Sequence, residues 1–417
     1  MNQMLTDAER AARARAYSIP LDEINMATPK LFESYTMWPY FERLRKEAPV
    51  HYCPEHEFGP YWSVTKYNDI VAVDTNHKVF SSEPSITAFD PGPDFKLTMF
   101  IAMDPPKHDE QRKTVQPVVA PENLLRLEPL IRERAGKILD EIPIGEEIDW
   151  VDRVSVELTT MTLATLFDFP FEERRLLTHW SDTATAAKGG PHFISEEHRR
   201  ETLLQCLAYF QNLWKERQDK PGTSDLISML AHGEATKNMQ PYEFLGNLIL
   251  LIVGGNDTTR NSITGSLYAL NKWPEQYDKL TANPGLIPNM VSETIRWQTP
   301  LAYMRRTAME DATIGNKTIR KGEKVLMWYV SGNRDDEVIP DPNNFLIDRE
   351  NARRHLSFGF GIHRCVGNRL AELQLKIVWE EILKRFPRIE VTGEPTRVYS
   401  AFVKGYERLP VVIPKRH

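Results

Sequence analysis

The stretch from Tyr242 to Trp273 reads as one continuous helix. At ~1.5 Å per residue it spans roughly 45 Å, the breadth of a whole domain, so the rest of the fold must be built around it. Its first half holds Leu248-Ile249-Leu250-Leu251-Ile252-Val253, apolar on every side, which places it in a core. Gly254-Gly255-Asn256-Asp257-Thr258-Thr259 then interrupts the pattern. Each glycine costs up to about 1 kcal/mol relative to alanine, and a buried acid costs more unless it is paired. Violations of this kind inside a strong helix mark function. The glycines allow a bulge that admits a small ligand. A threonine hydroxyl can bond the carbonyl one turn back, and a neighbouring acid can pass protons inward. The plainer alternative is a kink with a surface-facing Asp-Thr-Thr.

A second feature lies near the C-terminus. Phe358-Gly359-Phe360-Gly361-Ile362-His363-Arg364-Cys365-Val366-Gly367 sets one cysteine after a glycine-punctuated turn and before an amphipathic helix that starts near Leu370. A cysteine at a helix N-terminus meets exposed N–H groups and the positive end of the dipole, which favours the thiolate. Such a thiolate is a good ligand for a soft or borderline metal and can push electron density onto a heme iron. Glycines let the backbone turn tightly and lie against a flat macrocycle. Taken alone, the run also fits a buried structural cysteine.

The bulk properties exclude several classes. A formal charge of −6 over 417 residues argues against general nucleic-acid binding. Cys53, Cys206 and Cys365 are too few for a disulfide framework, so a reducing cytoplasm is the expected location. The N-terminus is Ala/Arg-rich without an apolar core, and Leu248–Val253 is the longest apolar run, far short of a membrane anchor. No Cys-x-x-Cys-His, paired CxxC or Gly-rich dinucleotide fingerprint is present.

Helical patterns cover Tyr40–Glu47, Glu122–Glu141, Val151–Phe167, Glu196–Gln218, Pro241–Trp273 and Ile287–Trp297. Strand patterns cover Tyr61–Val64, Lys324–Tyr329 and Val411–Pro414. The order predicts a mainly α fold with small β-sheets. Glu293 and Arg296 lie three apart on one helix and can pair, and His108 and Arg112 share a helix face.

The run from Phe358 to Gly367 matches the heme-binding signature of the cytochrome P-450 family at every position, and the chain resembles that family from roughly residue 35 onward. The resemblance implies the cytochrome P-450 fold, a large helical domain plus a smaller β-rich part. Residues 1–417 would form one domain, with 1–34 an extension that is helical or mobile. It implies heme b with Cys365 as axial thiolate, Phe358 and Gly367 beside it, and Gly254 over the ring. Asp257 and Thr258 would be the acid–alcohol pair that manages protons for O2 cleavage. His108, Arg112, Arg306 and His363 match the usual propionate contacts, and arginine suits a carboxylate because its fork meets it bidentately. Glu293 and Arg296 match a structural Glu-x-x-Arg motif, completed by Arg349.

The segments that the family folds over the heme carry Phe89, Phe95, Leu97, Met99, Phe100, Ile101, Val253, Leu301, Ala302, Tyr303 and Met304. That apolar inventory predicts a small apolar substrate. The wording of both motifs is similar to the soluble bacterial alkane hydroxylases, family 153 of the superfamily. A haem-dependent monooxygenase acting on the terminal carbon of medium-chain alkanes or acyl chains is therefore expected. A terpene or steroid hydroxylase on the same scaffold, and a non-catalytic heme sensor or carrier, are the alternatives. Electrons would come from a ferredoxin and ferredoxin reductase. Arg112, Lys113, Arg353, Arg354, Arg364 and Arg369 would form a basic patch that steers the acidic ferredoxin, or a merely solvated face.

Overall fold

The computed structural model describes residues 6–92 and 94–417. Helix Pro241–Lys272 runs through its centre for 32 residues. Proline opens it where a missing N–H costs nothing. Helices Glu157–Phe167, Arg175–Thr185, Glu196–Gln218, Ile287–Gln298 and Asn368–Arg385 pack around it. Leu245, Leu248, Ile252 and Leu267 of the central helix join Leu158, Leu163, Trp297 and Trp379 in one buried cluster. Each large side chain buried this way contributes about 1.5–3 kcal/mol. The fold is that of the mainly α class, with small sheets.

Helix Glu196–Gln218 has the expected limits, and Ile287–Gln298 runs one residue beyond its expected end. The segment Val151–Phe167 differs. It begins as a wide π-helical turn, Val151–Val156, and tightens to α only from Glu157. Hydrophobic periodicity does not separate these two windings.

The larger sheet orders its strands Val50–Cys53, Tyr61–Val64, Lys324–Met327, Met304–Ala308 and Phe80–Ser81. Tyr61–Val64 runs parallel to Lys324–Met327, and the other pairings are antiparallel. The expected strand Lys324–Tyr329 stops at Met327, and the short helix Tyr329–Gly332 follows. Strand Pro410–Val412 lies between Glu147–Asp149 and Glu390–Val391, so the expected Val411–Pro414 is shifted toward the N-terminus.

The N-terminal extension is helical and docked where it is described; residues 1–5 of it lie outside the described residues. Helix Asp7–Ser18 opens with a capping box between Thr6 and Glu9. Its Ala12 and Ala16, with Met26 and Phe32 beyond it, join Tyr61, Leu326 and Trp328 of the sheet in a second cluster. Arg13 grips Glu42 with bonds of 2.8 and 3.0 Å. No helix among the described residues is long and apolar enough to cross a membrane.

Candidate active site

The cysteine loop is a tight return. Gly359 and Gly361 both hold φ +67°, a region that L side chains rarely adopt. A Cβ on Gly361 would also fall 2.8 Å from the carbonyl oxygen of Asp74. The N–H of Cys365 donates to the carbonyl of Phe358 at 2.8 Å, and helix Asn368–Arg385 starts directly after. Cys365 is exposed and lines a cavity of about 1130 Å³.

Burial pushes the Cys365 thiol pKa up, while the amides of Gly367 and Asn368 and the guanidiniums of Arg112 and Arg364 pull it down. The amides at the start of the following helix thus favour the thiolate, as the sequence suggests, against the cost of burial.

The central helix is continuous, as its sequence suggests; it stays α-helical through Gly254-Gly255, from Pro241 to Lys272. The two glycines have different uses. A Cβ on Gly255 would come within 2.7 Å of Leu163, whereas one on Gly254 would meet nothing within 4 Å, because that side opens on the cavity. Thr258 lines the cavity too, and its hydroxyl donates to the Gly254 carbonyl at 2.9 Å.

Asp257 is fully buried and is not among the cavity-lining residues. Its carboxylate accepts from Ser181 at 3.0 Å, Thr185 at 3.4 Å and Asn256 at 3.3 Å. Arg260 stands 2.9 Å away and pairs with Asp182 at 2.7 Å. Burial raises the Asp257 pKa, and Arg260 opposes that shift. The expected acid–alcohol pair is therefore adjacent in sequence but turned to different faces. Sequence reasoning missed Arg260 and Asp182 because Asp182 sits on a separate helix, Arg175–Thr185.

His108, Arg112, Arg306 and His363, from three separate segments, line the same cavity. The rings of His108 and His363 lie 4.2 Å apart. His108 Nδ1 bonds Asp109 at 2.7 Å, but its Nε2 and both ring nitrogens of His363 are buried without a partner. Buried polar atoms of this kind need a ligand's hydrogen bonds. Arg112 donates to the Arg364 carbonyl at 2.5 Å. Arg306 also pairs with Asp74 at 2.7 Å. The residues present thus fit a flat dianionic macrocycle: a thiol below, orphaned donors at the rim, and a Cβ-free helix face above.

Glu293 is buried and takes Arg296 bidentately at 2.7 and 2.8 Å, while Arg349 reaches it at 2.9 Å. Arg296 also donates to the carbonyls of Asn333 and Pro342. Asn333 in turn accepts from the Leu356 N–H at 2.7 Å, two residues before Phe358. The cluster therefore underpins the approach to the cysteine loop.

Phe89, Phe95, Leu97, Met99, Phe100, Ile101, Val253, Leu301, Tyr303 and Met304 line the cavity, joined by Leu203, Ile249, Ile295 and Phe402. Ala302 does not line it; it is fully buried against Trp328 and Tyr303 in the second cluster, because alternate residues of an extended segment face opposite ways. The described residues between 84 and 101 form one wall. Its far end is pinned: a Cβ on Gly246 would fall 2.2 Å from the Thr98 carbonyl oxygen, and Asn247 accepts from the Phe100 N–H at 2.9 Å. Its near end is held by Asp90, which pairs with Arg305 at 2.8 Å and Lys324 at 2.7 Å. Of the expected basic patch, Lys113, Arg353, Arg354, Arg364 and Arg369 are exposed, while Arg112 is half-buried.

A family model described as cytochrome P-450 matches residues 285–401. Linalool 8-monooxygenase of Pseudomonas putida is 36% identical over 411 residues, covering 95% of this chain and 100% of that protein. A methyl-branched lipid omega-hydroxylase of Mycobacterium tuberculosis is 31% identical over 386 residues, covering 89% of this chain and 90% of that protein. Among solved structures, a family-153 cytochrome P-450 from Novosphingobium aromaticivorans is 45% identical with a TM-score of 0.87, covering 93% of this chain and 99% of that one. A second family-153 structure, from Sphingomonas sp. PAMC 26605, is 48% identical with a TM-score of 0.89, covering 94% and 100%.

Proposed function

The chain belongs to the cytochrome P-450 family, and from that premise we propose that it hydroxylates the terminal carbon of medium-chain alkanes or acyl chains. It is a monooxygenase whose heme b is held through the Cys365 thiolate. When bound, that group supplies the activation of O2.

The chain's own residues do the rest. His108, Arg112, Arg306 and His363 would hold the propionates. Thr258 holds a water or hydroxyl hydrogen bond at the cavity face of the central helix, and Asp257 with Arg260 and Asp182 relays protons from outside. The apolar wall excludes water and orients the substrate.

The observation that carries this reading is the apolar cavity that ends on Cys365, Gly254 and Thr258. Secondary C–H bonds are weaker than primary ones, so terminal attack demands side chains that present only a methyl group. Phe100, Val253, Leu301 and Met304 are assigned to that task. The likeness to family-153 structures and to a lipid omega-hydroxylase supports the same class. A ferredoxin with its reductase is the proposed electron source, steered by the exposed Lys113, Arg353, Arg354, Arg364 and Arg369. The similarity to linalool 8-monooxygenase over 95% of the chain favours a monoterpene as the second reading.

Two measurements test these readings. The reduced, CO-bound protein is expected to show the red-shifted band of thiolate ligation, lost in Cys365→Ala; a band unchanged in that variant ends the assignment. Spectral titration with octane, a medium-chain fatty acid and linalool then ranks the substrates. Tightest binding of the monoterpene would replace the first reading with the second.

A further inference from the structure

Asp74 has no part in the proton relay or among the expected heme contacts. It lies in the last turn of helix Tyr67–Thr75 and is 1% exposed. Three donors from three other elements converge on its carboxylate. Arg306 Nη2 donates at 2.7 Å from strand Met304–Ala308. The Tyr329 hydroxyl donates at 2.8 Å, and the Phe360 N–H donates at 2.7 Å from the cysteine loop. Burial beside Asp74 holds the Tyr329 pKa well above its ordinary value, so the phenol remains a donor. The same turn presses on the loop, since a Cβ on Gly359 would lie 3.2 Å from the Asp74 carboxylate. A buried carboxylate is tolerated only when it is satisfied in this way.

Arg306 is 2% exposed and lines the cavity. Its Nη1 donates to the Arg305 carbonyl at 2.9 Å. A guanidinium has five N–H donors, and these two bonds leave others for a carboxylate in the cavity. Arg306 and Asp74 together carry no net charge. The arginine can therefore still bond an anion, but without placing an uncompensated cation beside the cofactor.

We propose that Asp74 is a positioning residue that neutralises Arg306 and ties the cysteine loop to it, so holding the heme iron's reduction potential below the value a free Arg306 would impose. Reduction adds one electron to the site, and an unpaired cation in a low-dielectric interior favours the reduced form. The proposal rests on the heme-thiolate reading above.

The test is a spectroelectrochemical titration of purified heme-loaded protein. Asp74→Asn keeps the side chain's size and one acceptor oxygen but removes the charge, and its midpoint potential is expected to rise. Asp74→Glu restores the charge and is expected to move the potential back toward wild type. An Asp74→Asn protein with full heme content and the wild-type potential overturns the proposal. Should Asp74→Asn fail to fold, Arg306→Gln and the double variant Asp74→Asn/Arg306→Gln carry the test. Arg306→Gln leaves the acid unpaired and is expected to lower the potential, and the double variant to return it. Equal potentials in those two variants overturn the proposal. The CO spectrum of the wild type separates the two failures: a missing thiolate band sinks the heme-thiolate reading with it, whereas a normal band with unmoved potentials sinks the role of Asp74 alone.

Discussion

Arg260 joins Asp257 at 2.9 Å to Asp182 at 2.7 Å, and so connects a fully buried carboxylate to one that is 47% exposed. Removing the buried charge cuts this connection without touching the cavity wall. Asp257→Asn is expected to lower kcat by about 10–100-fold, within the range that general acid–base groups contribute. The substrate-binding spectrum should be unchanged, because Asp257 is not a lining residue. An undiminished kcat would remove Asp257 from the proton route.

Thr258 occupies the complementary position, on the cavity face of the same helix. Thr258→Ala removes a hydroxyl without leaving a buried donor unpaired. The expected effect is uncoupling: electrons and O2 are consumed while product per reductant falls. Thr258→Ser keeps the hydroxyl and should recover most of the yield. Equal coupling in wild type and Thr258→Ala would assign the hydroxyl to helix packing only.

Glu293 carries the pair most sensitive to truncation, because both it and Arg296 are fully buried. Loss of one partner strands the other charge in the core, which typically costs about 3–5 kcal/mol. Glu293→Gln is therefore expected to lower the melting temperature sharply and to reduce heme retention together with it. A variant as stable as wild type would show that Arg296 and Arg349 find other acceptors.

Glu42 gives the clearest pH signature. Its hydrogen bond from Arg13 and its neighbour Lys46 hold its pKa down at about 2, from an ordinary 4.5. A depressed carboxylate pKa gives stability that is complete above 4.5 and lost as pH falls toward 2. The pair is partly exposed, so the effect is modest and weakens with salt. Glu42→Gln should melt below wild type at neutral pH, and the gap should close on acidification. A gap that widens on acidification would contradict the sign.

The cysteine loop and the central helix were legible in the sequence because their signals are local. Glycine punctuation and helical periodicity act over a few residues, and the orphaned nitrogens of His108 and His363 line one cavity as those motifs imply. What escaped notice depends on long-range pairing. Asp74 lies in an ordinary amphipathic segment, and only the fold brings Arg306 to it across 232 positions. Asp182 is just as anonymous until its helix packs on the central one. Ala302 was misplaced for another reason: an apolar run after a proline does not say which alternate residues face inward. The docked N-terminal helix depends on Ala12 and Ala16 meeting the second buried cluster, which no local pattern announces.

The wall formed by the described residues between 84 and 101 has unequal ends. At Thr98 it is wedged against Gly246 by contacts that no solvent ion can loosen. At Asp90 it is held to Arg305 and Lys324 through a carboxylate that is 53% exposed. Charge pairs on the outside weaken as ions accumulate, over a Debye length near 8 Å at physiological strength. The two contacts therefore answer differently to salt: ionic strength weakens the charge pairs at Asp90 and leaves the packing at Thr98 unchanged.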